Sequence, residues 1–238
     1  MRMPSDKEAN APVFAIDPTF GEMAVQMGEA TWSIPELSQR EKVLVCIAAD
    51  VCTRDIELPL EMHVQMAAAN QVPMDDVREA ILQSAIEAGH TAALLALKKF
   101  KGLCKKLNLD GAGNNEQIPG ALSFDYFSNS QLADQGLTVM WKPIMEKHWS
   151  RPGLTLKERA YISLTGNVLQ GVLGEPFQHN VTIARDHDAS ADQLKALCRF
   201  LSEFGYSRAV SALAALSALA YAHARRESCA VPCPSSAT

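Results

Sequence analysis

The chain has 238 residues, 47% apolar and 21% charged, the balance of a water-soluble globule long enough for one large domain or two small ones. Lys and Arg total 22 against 27 Asp and Glu, and the formal charge of −5 gives no global electrostatic reason to bind nucleic acid or an anionic membrane. The longest apolar run, Ala209 to Ala222, falls short of the ~20 residues that span a bilayer and reads as a buried helix.

Met1 to Pro12 is polar and has no apolar signal-peptide core. The first helical signal is Ser38-Gln39-Arg40-Glu41, a capping box in which a hydroxyl and a carboxylate satisfy the free N–H groups of a first turn. Val43, Leu44 and Ile47 follow as its apolar face. A second helix is predicted to start near Pro59, because proline suits the first turn, and to carry His63. The third and longest takes Asp75 or Asp76 as N-cap and presents Val77, Ile81, Ala85, Ala88, Ala92 and Leu95 as one apolar stripe. Gly89 then falls mid-helix, costing about 1 kcal/mol relative to alanine and permitting close packing. Lys98, Lys99, Lys101, Lys105 and Lys106 complement the dipole at the end of that helix. The stretch Asp110 to Gln117, with Gly111, Gly113, Asn114 and Asn115, cannot continue a helix and marks a boundary.

Beyond the boundary the landmarks return. Trp32, Pro35, Leu37, Ser38 and Glu41 recur 117 positions later as Trp149, Pro152, Leu154, Thr155 and Glu158. His63, Glu87 and Gly89 recur 116 positions later as His179, Glu203 and Gly205, so a one-residue deletion lies between the two blocks. Thr155 to Glu158 is a second capping box, Tyr161, Ile162 and Leu164 follow it, and Pro176 opens the helix bearing His179. Leu194, Leu197, Leu201 and Phe204 begin the matching third stripe. No alternating strand pattern occurs. The expected class is all-α: two tandem helical repeats at 15–109 and 137–224, a linker at 110–136, and a disordered tail at 225–238. The cysteines at 46, 52, 104, 198, 229 and 233 form no Cys-x-x-Cys pair, which fits a cytoplasmic location.

Trp149-Ser150-Arg151-Pro152-Gly153-Leu154-Thr155-Leu156-Lys157-Glu158-Arg159 resembles the segment that opens the first core helix of carboxymuconolactone decarboxylases, and Glu175-Pro176-Phe177-Gln178-His179 is similar to that family's Glu-x-x-x-His pattern. In the first copy, Glu61-Met62-His63 through Asn70 resembles the helix bearing the family histidine, and Asp75 to Glu79 with Glu87-Ala88-Gly89 resembles its third helix. The resemblance implies a compact α fold that assembles into rings, and an enzyme acting on a small carboxylated or lactone-type metabolite. It also covers thiol peroxidases, which need Cys-x-x-Cys before the histidine. Ile56 and Pro59 stand at those positions in the first copy, and Val172 and Glu175 in the second, so peroxidase chemistry is not expected.

Decarboxylation of a lactone acid needs a grip on the carboxylate, a polarised oxygen, and a group that returns a proton to carbon. Glu175 and His179, four apart on one helix, share a face suited to that proton transfer, with a satisfied core histidine as the plainer alternative. His63 is the first copy's candidate, although Pro59 stands where the partner acid would be. Arg151 precedes a core helix and suits bidentate carboxylate binding, Arg54 and Glu57 sit before the His63 helix as pocket rim, and His90 follows Gly89 as a residue facing a cavity. Each of these also reads as an ordinary solvated or hydrogen-bonded side chain. The histidines at 63, 90, 148, 179, 187 and 223 show no His-x-x-x-His pair, so neither metal nor other cofactor is expected. The expected function is a decarboxylase-like lyase; an isomerase or cyclase of a biosynthetic pathway and a non-catalytic ligand-binding homologue are the alternatives. The expected partners are a small-molecule substrate and further copies of the chain, a trimer ahead of a dimer, with no nucleic acid and no membrane.

Overall fold

A computed structural model of the chain describes residues 10–109 and 134–229. Among these residues the structure is helical and holds no strand. Ahead of everything lies the short α1 (Ala11–Ile16). Five elements follow in the first half: α2 (Pro18–Trp32), α3 (Gln39–Thr53), α4 (Leu58–Ala69), α5 (Met74–Ala88) and α6 (His90–Leu107). In the second half come α7 (Gln135–Trp149), α8 (Leu156–Gln170), α9 (Glu175–Asp186), α10 (Ala191–Phe200) with a 3₁₀ turn at Leu201–Phe204, and α11 (Tyr206–Cys229). No helix among the described residues is long and apolar enough to cross a membrane.

The bounds of α2, α3 and α4 recur 117 positions on as those of α7, α8 and α9. Their caps recur too: Asp17 and Asp134 accept from the third residue of α2 and α7, and both expected capping boxes are formed, on Ser38 and Thr155. The register changes only inside the next element, where α5 has 15 residues and the corresponding α10 and 3₁₀ turn have 10 and 4. A 3₁₀ turn advances about 2.0 Å per residue against about 1.5 Å in an α-helix, so overwinding the last turn takes up the missing residue.

The long third helix does not exist as one rod. Gly89 has φ 87°, and α5 ends there while α6 begins one residue later. A Cβ at Gly89 would meet nothing within 4 Å, so the glycine is required by its left-handed backbone and not by close packing. Gly205 makes the same break before α11 with φ 144°. The stripe extended through Leu95 is therefore corrected. The break resets the helical phase, leaving Leu94 and Leu95 exposed while Ala92, Ala93, Ala96 and Phe100 are buried. The N-cap is Pro73; Asp75 and Asp76 lie in the first turn of α5, where their charge suits the dipole and Asp76 reaches Arg40 at 2.7 Å. The apolar run from Ala209 buries only one face, with Ala209 and Ala212 inside and Val210 exposed. Its helix reaches Cys229, so the boundary expected at 225 falls within a helix, while 230–238 lie outside the described residues. The linker expected at 110–136 lies outside them as far as 133, and α7 already begins at Gln135.

Helices α3 and α8 are buried nearly all round and pack on each other at the centre of the molecule. Their first turns are interlocked: Arg40 Nε lies 2.6 Å from Glu158, and Lys157 Nζ lies 2.9 Å from Glu41. One turn inside, Lys42 Nζ donates to the carbonyls of Trp32 and Ile34, and Arg159 donates to those of Arg151 and Pro152. Each buried cation thereby ties the preceding loop to its core helix, satisfying carbonyls that would otherwise be stranded.

Candidate active site

Helix α3 is apolar from Val43 to Val51 except at Asp50, whose side chain is 2% exposed. A carboxylate placed so deep needs a partner, and α4 supplies one: His63 Nδ1 lies 2.7 Å from Asp50 Oδ2. Pro59 in the first turn of α4 sets the helix that carries His63 along α3. Burial alone pulls the His63 imidazole down, but the Asp50 carboxylate and Cys46 more than reverse this, and its pKa stands well above 6.5. Burial pushes Asp50 up as well, against the pull of His63. The pair therefore holds a proton tightly at neutral pH. Cys46, one turn before Asp50, is pushed up to about 11 by burial despite its bond to His63, so it stays a thiol.

Glu203, at the end of the second half, reaches the same place. Its Oε2 accepts from Thr31 Oγ1 at 2.9 Å, and burial raises its carboxyl in spite of His63 nearby. The Phe204 ring stands edge-on to His63 at 6.4 Å between centroids. Asp50, His63, Glu203 and Phe204 lie in the wall of an open cleft of about 1640 Å³ that runs out between α2 and α4. His63, 13% exposed, is the member of the ion pair with access to it.

The corresponding place in the second half is built from the same positions with different chemistry. Ser163, Asn167 and Asn180 stand 117 residues after Cys46, Asp50 and His63, and Asn180 Nδ2 donates to Asn167 Oδ1 at 2.9 Å. Glu87 from the first half enters there as Glu203 enters the other, its Oε2 accepting from Asn167 Nδ2 at 2.8 Å. Burial raises Glu87 to about 7, and the bonds to Ser163, Asn167 and Asn180 only partly oppose it. Gly166 makes room, since a Cβ there would lie 2.5 Å from that of Glu87.

The candidates named from sequence separate into two groups. His63 and Arg54 line the cleft. Glu57 is nearby but is held by Lys99. Arg151 makes a bidentate pair with Glu79, at 2.7 and 2.6 Å, and His90 opens α6 against His148 with ring centroids 6.3 Å apart. Glu175 is exposed in the first turn of α9, and the half-buried His179 sits one position short of Asn180, the residue in register with His63. Neither lines the cleft, and neither do Arg151 and His90. Sequence reading missed Asp50 and treated Glu203 only as a landmark. The available signal was a carboxylate inside an apolar helix 13 residues before a histidine, mirrored by two asparagines at the same spacing. Among the described residues no three His, Cys, Asp or Glu side chains are grouped so as to hold a metal ion.

No curated protein matches the chain. Residues 18–101 match the model of the carboxymuconolactone decarboxylase family. Asp50 and His63 both lie within the segment that matches this family.

Proposed function

We propose that this chain is a decarboxylase-like lyase acting on a carboxylated or lactone-type metabolite, with His63 as its proton donor and Asp50 as the residue that orients and charges it. The observation that carries this reading is the 2.7 Å His63–Asp50 pair, buried on one side and open to the cleft on the other. In the reaction the bond from carbon to the carboxylate breaks and CO2 leaves. The electron pair passes into the substrate's own unsaturated carbonyl, and the His63 imidazolium then delivers its proton to carbon. Asp50 holds the ring and offsets its charge. No bound electron sink is needed, because the substrate provides one. The second half is, on this reading, a diverged copy of the same domain that lends Glu203 to the working site.

CO2 release over a panel of unsaturated lactone acids tests the proposal. Turnover is expected in the native chain and reduced at least a hundredfold in His63→Gln, the order of a lost general acid. A double-bond shift or ring closure without CO2, equally dependent on His63, assigns the site to an isomerase or cyclase. Turnover indifferent to His63 overturns the reading.

A further inference from the structure

The cleft is larger than a small lactone acid requires. Pockets for drug-sized ligands run to about 300–1,000 Å³, whereas this one is about 1640 Å³. Its outer part is apolar on both sides, with Phe20, Met23 and Met27 of α2 on one wall and Met62 and Met66 of α4 on the other. Phe20 and Met23 are 59% exposed and Met27 is 41% exposed, an apolar surface left open among the described residues. Both walls belong to this chain and converge on Asp50 and His63, the geometry of a ligand groove and not of a flat docking face.

Its charges point to the sign of the ligand. Asp50 is paired with His63 and Glu61 with Lys106, and burial raises the Glu203 carboxyl towards its neutral form. Arg54, Asp55 and Arg208 line the same cleft, all three exposed, and among the described residues neither arginine meets a carboxylate, so two cations stand there against one unpaired anion. Arg54 is also costly where it stands. It caps α3 in the left-handed region with φ 65°, while Gly171 holds the corresponding position after α8 with φ 73°. Arginine carries a backbone penalty there that the glycine of the other half does not, and it sets a guanidinium at the cleft.

We infer that the substrate is an amphipathic carboxylate, with an apolar body of at least two fused rings or equivalent length lying between α2 and α4 and its anionic group on Arg54 and Arg208. This rests on the reading of the cleft as the substrate site, and it names the substrate class that reading leaves open.

Calorimetric titration of the full chain with benzoate, 2-naphthoate, 2-anthracenecarboxylate and neutral 2-naphthalenemethanol tests it. Affinity is expected to rise about fivefold with each added ring, and the alcohol to bind about tenfold more weakly than 2-naphthoate. Arg54→Gly, which relieves the backbone and so folds, is expected to lose about tenfold for 2-naphthoate, as is Arg208→Gln. Met27→Asp is expected to abolish the gain from added rings. An affinity flat across the ladder, or full binding by both arginine variants, overturns the inference. So does a chain that binds no carboxylate and is a dimer separated by Phe20→Asp, which assigns the apolar wall to a second copy. Titration involves no turnover, so its failure is read apart from a failure of the His63 chemistry.

Discussion

Asp50 Oδ2 and His63 Nδ1 face each other at 2.7 Å across the contact of α3 and α4, thirteen residues apart in sequence. At the same spacing in the other half, Asn167 and Asn180 make a neutral bond of nearly equal length, 2.9 Å. The comparison separates the architectural role of the bond from the charge it carries. An amide pair suffices to join the two helices. An acid and an imidazole add to that bond a proton held between them.

Asp50→Asn is accordingly expected to fold and to lower the His63 pKa. With the carboxylate gone, burial is opposed by Cys46 without Asp50, and the imidazole pKa falls from its raised position. Titration of the His63 ring by NMR reads this directly. In an assay the variant is expected to lose about tenfold to a hundredfold near neutrality and to recover as the pH is lowered, since the imidazolium is the donor. An unchanged ring titration would contradict the assignment.

Glu87 controls a pH dependence of stability. Its folded pKa of about 7 lies above the ordinary 4.5, so its contribution is fully present below 4.5 and is lost as the pH rises through about 7. Glu87→Gln should remove that loss. Urea unfolding is expected to find the variant more stable than the native chain by on the order of 2 kcal/mol near pH 8, with the difference gone or reversed near pH 4. Equal offsets at both pH values would show that Glu87 ionises normally.

Three backbone positions give opposite signs. Gly89→Ala should cost about 1–2 kcal/mol, because φ 87° is unfavourable to any Cβ even though space is free. Gly102, inside α6 with nothing within 4 Å, should gain up to about 1 kcal/mol as alanine. Arg54→Gly should gain about 1 kcal/mol by relieving φ 65°. Thermal unfolding of the three variants decides the signs.

Cys46 touches His63, yet its thiol is held at about 11, and a thiolate is what nucleophilic or peroxidatic chemistry would require. Cys46→Ser is expected to keep activity within about threefold, since Ser163 fills the corresponding place in the other half. Native Cys46 should also resist alkylation near pH 7, read by peptide mass spectrometry. Fast alkylation there, or loss of turnover in the serine variant, would give Cys46 a chemical role.

The helical class, both capping boxes and the start of α4 were legible because each is written in local chemistry. Ser38 with Glu41 and Thr155 with Glu158 specify their own hydrogen bonds, and Pro59 needs no partner N–H. What was not legible depends on tertiary placement. Helical spacing points to an acid for His63 four residues away on its own helix, whereas it comes from the neighbouring helix α3. Matching histidine to histidine sets the register on His179, but the helix bounds match Asn180. The missing residue lies later, in the 3₁₀ turn, where no residue type announces it. Gly89 looked like a packing glycine because periodicity carries no sign of φ.

On the proposed function the proton is moved by His63 and not by His179. Single-turnover measurement of His63→Gln and His179→Gln side by side, on any substrate the native chain turns over, tests it most directly. The expected result is a loss of at least a hundredfold for His63→Gln and less than about threefold for His179→Gln. A large loss in His179→Gln with His63→Gln near native would contradict the account and move the active site to α9.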